Sequence, residues 1–245
     1  MKILTLNTWQ ERGPWQERWE VALKGVERFQ PDLVAFQELF NRSWAQEIQK
    51  RMGFNGLLFP EEYCGLAIYA DYPATSWGVT KLTSSSLEEY SRYALWAELK
   101  VEGKQLVIFN THLSWKLEDG VSRKQQAEDL VRLIEEKAPQ DETLLMGDLN
   151  APPDSPEIRG LIRAGKMRDL FDELHPKEKA FTWDNRNPYA AESFHKMPDR
   201  RIDFILARGS GPLLKDIVSC DLVFTEPNTR GVWASDHFGV LAEFK

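Results

Sequence analysis

The sequence predicts an α/β fold, and three observations carry that prediction. Short apolar runs rich in β-branched residues recur along the chain, stripes at helical spacing fall between them, and 245 residues with 42% hydrophobic content suffice for a sizeable layered core. One domain over residues 1–245 is expected, because no fixed-period repeat, low-complexity tract or convincing linker interrupts the sequence.

"KILTLN" alternates apolar and β-branched positions and reads as a strand ending at Asn7. Trp15, Trp19, Ala22, Leu23, Val26 and Phe29 follow at mostly helical spacing, and Pro31 limits that helix. "DLVAFQEL" is a second strand with Glu38 at its far end. Residues 65–69, 93–101 and 105–111 read as further strands, the last two joined as a hairpin through "EGK". Ser122 and Gln125 form a capping-box pattern ahead of Ala127, Leu130, Val131 and Ile134, which share a helical face. A strand over 143–146 precedes Ser155 and Pro156, a helix start because proline tolerates the first helical position. Residues 181–200 are polar, irregular and too long for a connector, the kind of loop that binds. Strands resume at 202–206, 216–223 and 239–244.

A formal charge of −7 disfavours phosphate binding over the whole surface, so an anionic ligand needs a concentrated local cation. The N-terminus lacks a signal-type apolar run, and no segment approaches the roughly 18 apolar residues of a membrane helix. A cytoplasmic monomer is expected. Cys64 and Cys220 lack metal-ligand spacing and read as two buried free thiols.

Polar residues end the apolar runs. Asn7, Glu38, Asp148 with Asn150, and His112 each follow a strand, and Asp236 with His237 precede the last one. A single such carboxylate is commonly solvated or caps a helix; five such ends together point to one site. "ILTLN" and "LLMGDLN" both present asparagine at the outer end, as if two packed sheets brought their tips side by side. Converging, Glu38, Asp148 and Asp236 would repel unless a cation or protons intervened. Oxygen ligands suit Mg²⁺ or Mn²⁺, whereas Zn²⁺ prefers His or Cys sets that are missing. Such an ion polarises a phosphoryl oxygen, and histidines beside it donate to the phosphate. Asp203 in "RRIDFILA" is the natural partner for His237; taken alone, "RRIDFI" reads equally as an exposed basic turn entering a core strand.

"TLNTW", "DLVAFQE", "NTHL", "GDLNAPPDS", "RIDFIL" and "SDHFGV" occur in that order across residues 3–240. This ordered set resembles the endonuclease/exonuclease/phosphatase superfamily, which includes deoxyribonucleases, apurinic endonucleases, sphingomyelinases, inositol polyphosphate phosphatases and tyrosyl-DNA phosphodiesterases. The resemblance implies a four-layer α/β sandwich, two mixed sheets face to face with helices outside. It implies Glu38 as principal metal ligand with Asn7 and Asp236 nearby, and Asp148 as the residue that orients or deprotonates the attacking water. Asn150 then matches the amide contacting phosphate, His237 with Asp203 the histidine on the scissile phosphate, and His112 a second such histidine. Arg92 in "SRYALWAEL" falls where many members have a phosphate-facing arginine. "GLAIYADYP" departs from the family pattern, with Ala70 and Asp71 in place of a small hydroxyl and a basic residue. "FTWDNRNPY" is similar to a loop of sphingomyelinase-like and tyrosyl-DNA phosphodiesterase-like members, where Trp183 would stack on a base, line a headgroup pocket or simply anchor the loop. His175 and His195 lack a motif and read as surface or loop residues.

The expectation is a Mg²⁺- or Mn²⁺-dependent phosphoester hydrolase, foremost a phosphodiesterase, acting on nucleic acid or a small or lipid phosphodiester. A nuclease of the same fold is the alternative, and a non-catalytic phosphate-binding or scaffold protein the alternative of another class.

Overall fold

A computed structural model describes residues 1–139, 142–193 and 196–245. The chain lays down β1 (Lys2–Asn7), β2 (Leu33–Gln37), β3 (Gly56–Leu58) and β4 (Leu66–Ala70) in a first sheet. It crosses to a second sheet for β5 (Ala74–Lys81), β6 (Tyr93–Val101), β7 (Lys104–His112), β8 (Glu142–Asp148), β9 (Arg168–Asp169) and β10 (Asp203–Arg208). β11 (Ile217–Val223) and β12 (Gly239–Phe244) return to the first. The orders are β11-β12-β1-β2-β4-β3 and β5-β6-β7-β8-β10-β9. Each sheet is mixed: β1–β2 and β7–β8 are parallel, the other pairs antiparallel.

Strand alternation builds four layers. In β1, Ile3 enters the core between the sheets, while Leu4 and Leu6 pack with Trp19, Leu23 and Ile48 of α1 (Trp15–Phe29) and α2 (Arg42–Met52). In β8, Leu144 and Met146 face the first sheet, and Leu145 joins Leu130 and Ile158 of α3 (Gly120–Lys137) and α4 (Pro156–Ala164). Side chains two apart share a face. Asn7 therefore continues the row of Ile3 and Thr5, Gln37 that of Leu33 and Ala35, and Asp148 that of Leu144 and Met146. His112 continues Ile108 and Asn110, and Asp203 opens the row of Ile205 and Ala207. At one end of the molecule the inner face of each central strand turns polar.

Just below that end, two amides tie the sheets together. Gln37 Nε2 donates to Asn110 Oδ1 at 2.8 Å, and Asn110 Nδ2 donates to the carbonyls of Phe36 and Ala67, each at 2.9 Å. Gly147 brings β8 tight against β7: its φ is +134°, and a Cβ there would stand 2.0 Å from the Thr111 carbonyl oxygen. That closeness sets His112 in register with Asp148.

Several expectations need correction. The capping box does not form, because α3 begins at Gly120 and Ser122 is buried within it; Asp119 precedes the helix with its carboxylate taken by the Ser85 hydroxyl at 2.5 Å. "RRIDFI" is no exposed turn, since Arg200 and Arg201 are both buried and Arg201 pairs with Asp169 at 2.7 Å. Cys64 is only half-buried, while Cys220 is buried and both are free. The sequence reading also omitted α2, although Asn41 caps it by accepting from Trp44 N and Gly53 ends it in the left-handed region. It omitted β5, whose largely exposed residues lack an apolar alternation. The 181–200 loop holds a short helix, α6 (Pro188–Ala191), and α5 (Leu170–Leu174) follows β9. Among the described residues no helix is long and apolar enough to cross a membrane.

Candidate active site

The polar strand ends converge on Asp148. Asn7 Nδ2 donates to Asp148 Oδ2 at 3.0 Å and to Glu38 Oε1 at 3.3 Å, joining the tips of both sheets as the two "LN" runs suggested. Asp148 Oδ1 accepts from the Asn150 backbone N–H at 2.9 Å, and Asn150 Nδ2 donates to the Leu113 carbonyl at 3.0 Å. Asp203 lies directly opposite Asp148 in the ladder, an arrangement that sets two carboxylates against each other. His237 relieves it: Nδ1 meets Asp203 Oδ2 at 2.9 Å, while Nε2 lies 3.7 Å from Asp148 Oδ2 and 4.0 Å from Asp236 Oδ1. His112 Nε2 approaches the same Asp148 oxygen at 3.4 Å.

Electrostatics separate these groups. Burial would depress His237, yet Asp203, Asp148 and Asp236 outweigh it and raise the imidazole to about 10, so it is a cation at neutral pH. Burial, with Arg92 and His237 adding repulsion, holds His112 well below the ordinary value and leaves it neutral. Burial, reinforced by Asp203, raises Asp148 to about 7 against the pull of His237. Burial raises Asp236 to about 7 as well, and Glu38 adds to that rise.

Loops hold this geometry at some backbone cost. Trp9, Gln10, Glu38 and Asn150 all adopt positive φ, a region that L-residues other than Asn and Asp seldom occupy. Ser235 Oγ donates to the Asn7 carbonyl at 2.6 Å and lies 3.1 Å from Asp236 Oδ1, fastening the strand end of β1 to the Asp236 segment. Asn187 Nδ2 donates to the Ser235 carbonyl at 2.7 Å and anchors the long loop on it.

The predicted residues that line the cleft, of about 340 Å³, include Glu38, Arg92, His112, Asp148, Asn150, Trp183, Asp236 and His237. Arg92 is there, but its Nε and guanidinium tip pair with Glu88 at 2.9 and 2.8 Å, so it brings its own counterion. Trp183 packs edge-on against His237, with ring centroids 5.1 Å apart, and both anchors the loop and walls the cleft. Ala70 and Asp71 lie elsewhere: Ala70 pairs with Leu33 at the start of β2, the opposite end from Glu38, and Asp71 binds Asn55. His175 contacts the Cys220 carbonyl outside the cleft. His195 lies outside the described residues.

Two sets of oxygens bear on a metal. Ligand-type atoms of Asp148, Asp203 and His237 lie within 4.8 Å of one another, yet this histidine is cationic and donates to Asp203, which suits an ion pair and not a ligand. The Glu38, Asp236 and Asn7 side has hard oxygen donors, and Glu38 pushes Asp236 upward by repulsion. Carboxylates that repel each other in this way fit a hard divalent cation.

The sequence model of the Endonuclease/Exonuclease/phosphatase family matches residues 5–237. The chain belongs to that family. It is 23% identical over 271 residues to a nocturnin of Drosophila melanogaster, covering 94% of this chain and 42% of that protein. It is 25% identical over 279 residues to a putative neutral sphingomyelinase of the same organism, covering 100% and 60%. The chain thus spans about half the length of these curated relatives. A crystal structure of D. rerio TDP2 complexed with single strand DNA product has TM-score 0.81 and 19% identity, covering 100% of this chain and 98% of that one. Family membership and this fold support phosphoester hydrolase or nuclease activity.

Around the family's motifs stand residues that sequence reasoning missed. Arg18 is fully buried and donates to the carbonyls of Thr8, Trp9, Gln10, Arg12 and Ala234 at 2.9–3.2 Å, binding the loop after β1 to the segment before Asp236. Its signal was available: Arg18 sits within the stripe of Trp15, Trp19 and Ala22. Arg200 also lines the cleft, and nothing in its local sequence separates it from Arg201.

Proposed function

We propose that this chain is a divalent-metal-dependent phosphodiesterase in which water attacks phosphorus. The observation that carries this reading is one cleft in which Asp148 lies 3.7 Å from the imidazole of His237, itself held by Asp203 at 2.9 Å, and accepts from Asn7 at 3.0 Å, with the acid raised to about 7 and the imidazole to about 10. A base with its pKa near neutrality accepts a proton more readily than an ordinary carboxylate while keeping a substantial ionised fraction, and a cation beside it steadies charge building on the phosphoryl oxygens.

Asp148 is assigned the proton from water, its two oxygens steadied by Asn7 Nδ2 and the Asn150 N–H. His237, held by Asp203, donates through Nε2 to a phosphoryl oxygen, and neutral His112 offers a second donor. Glu38, Asp236 and Asn7 would hold Mg²⁺ or Mn²⁺, which supplies polarisation of the phosphoryl oxygen and stabilisation of the leaving oxyanion. Asn150 faces the phosphate beside Asp148.

Hydrolysis of bis-p-nitrophenyl phosphate and of a nucleic-acid panel with Mg²⁺ or Mn²⁺, then with chelator, tests the reading. Turnover is expected only with metal and is expected to drop at least 100-fold in Glu38→Ala. Full turnover in chelator, or binding of metal with no turnover of any phosphoester, overturns it, the second in favour of a non-catalytic phosphate-binding protein.

A further inference from the structure

Two cations of the cleft, His237 and Arg200, flank one indole. Trp183 forms antiparallel bridges to both His237 and Arg200, so the three residues make one row, and in-register antiparallel partners project side chains to the same face. All three line the cleft. Bridged neighbours lie about 4.5–5.5 Å apart at Cα, which places the backbones of His237 and Arg200 roughly 9–11 Å from each other. The Arg200 guanidinium still feels the charge of Asp148, so an anion held on it would lie beside the phosphate on His237.

Arg200 is 7% exposed, and among the described residues its guanidinium makes no ion pair or side-chain hydrogen bond, its Nε being buried without a partner. The Trp183 Nε1–H is likewise buried and without a partner among the described residues. Of the other arginines around the cleft, Arg12 is exposed to solvent, and the rest are satisfied: Arg92 by Glu88, Arg123 by Glu157, Arg201 by Asp169 and Arg18 by carbonyls. Buried donors without acceptors are rare and destabilising, so this pair is matched to a ligand oxygen, and the guanidinium selects an anionic one.

We propose that Arg200 and the Trp183 indole N–H form a second anion site, which holds a phosphate neighbouring the scissile one. The cleft then prefers a phosphodiester that carries a second phosphate, and it repels a cationic headgroup such as phosphocholine. The inference rests on the phosphodiesterase reading for the position of the scissile phosphate.

The full chain with Mn²⁺ is assayed on two ligand pairs. Thymidine 3′-p-nitrophenyl phosphate with or without a 5′-phosphate represents a small bisphosphate, and TpTpT against TpT represents a strand. A p-nitrophenyl ester of phosphocholine is the cationic control. In wild type, the second phosphate is expected to raise kcat/KM about tenfold or more, mainly through KM, in at least one pair. The responding pair identifies the source. Arg200→Gln is expected to bring that ratio to within about twofold of unity, with Arg200→Lys intermediate and Trp183→Phe partly reduced. Arg200→Gln is also expected to melt no lower than wild type, because its guanidinium has no partner to lose. No preference in wild type, a preference that Arg200→Gln leaves intact, or a faster phosphocholine ester overturns the proposal. If no ester is turned over, the phosphodiesterase reading fails; equilibrium binding of the same pairs then tests the Arg200 site alone, with the same ratios expected.

Discussion

His237 and His112 bring the same ring to the same carboxylate oxygen, with Nε2 atoms 3.7 and 3.4 Å from Asp148 Oδ2. Their surroundings then diverge. His237 has Asp203 on Nδ1 and Asp236 nearby, and three carboxylates overcome burial; His112 has burial, Arg92 and the charged His237 against it. Proximity to one acid does not decide protonation; the sum of neighbours does. His237 is therefore a fixed cation and His112 a neutral donor, two tools made from one residue type.

The largest expected effect separates the two rings. His237→Ala removes the cation and is expected to lower kcat about 10³-fold, within the range for positioned acid–base and charge-stabilising groups. His112→Asn keeps a neutral donor and is expected to lose about tenfold. Metal-saturated turnover of bis-p-nitrophenyl phosphate checks both, and equal losses would erase the distinction.

A smaller effect tests its cause. Asp203→Asn leaves the shape of the pair but removes a charge that raises His237, so the imidazole is expected to titrate well below about 10. The basic limb of the rate profile should move toward lower pH, with kcat reduced about 100-fold. Imidazole NMR titration of the metal-free protein reads the shift directly, and an unmoved ring would assign the charge to Asp148 and Asp236 alone.

The smallest effect concerns stability. Asp148 and Asp236 rise from 3.8 to about 7 on folding, and His237 from 6.5 to about 10. Each group binds its proton more tightly when folded. The stabilisation is present below the unfolded value and lost as pH rises through the folded one. In chelator, the urea midpoint is expected to decline from about pH 4 to 7 through the acids and from about 6.5 to 10 through His237. Asp148→Asn should flatten the first decline, and Mn²⁺ should oppose it, because metal and protons compete for the same oxygens. A slope unchanged in Asp148→Asn would show that Asp148 does not carry the shift.

Much of this was legible because the strands write their inner face at every second residue. In the fold Ile3 and Thr5 face inward and Asn7 ends their row, as Asp148 does after Leu144 and Met146, so marking where each apolar run ended was enough to find both. The residues that tune the site were less legible, because their roles depend on partners distant in sequence. Arg92 and Arg200 are both cleft arginines, yet Glu88 pairs with one and no residue among those described forms an ion pair with the other. Ser122 and Gln125 carry the letters of a cap, but a hydrogen bond from Ser85 to Asp119 accompanies a helix that starts earlier. Local pattern located the strand ends; charge and helix boundaries were decided by contacts across the fold.

The Gln37–Asn110 bridge between the sheets has a consequence for fidelity of assembly. Apolar faces tolerate sliding, because contact between them has little direction. Hydrogen bonds from Asn110 to Phe36 and Ala67 do not. A packing displaced by one residue would strand these amides away from water, at about 1–3 kcal/mol for each unsatisfied group. The two halves of the cleft arrive on different sheets, so the alignment of Asn7 with Asp148 is inherited from this pair of side chains, which touch no substrate and act as the molecule's indexing pin.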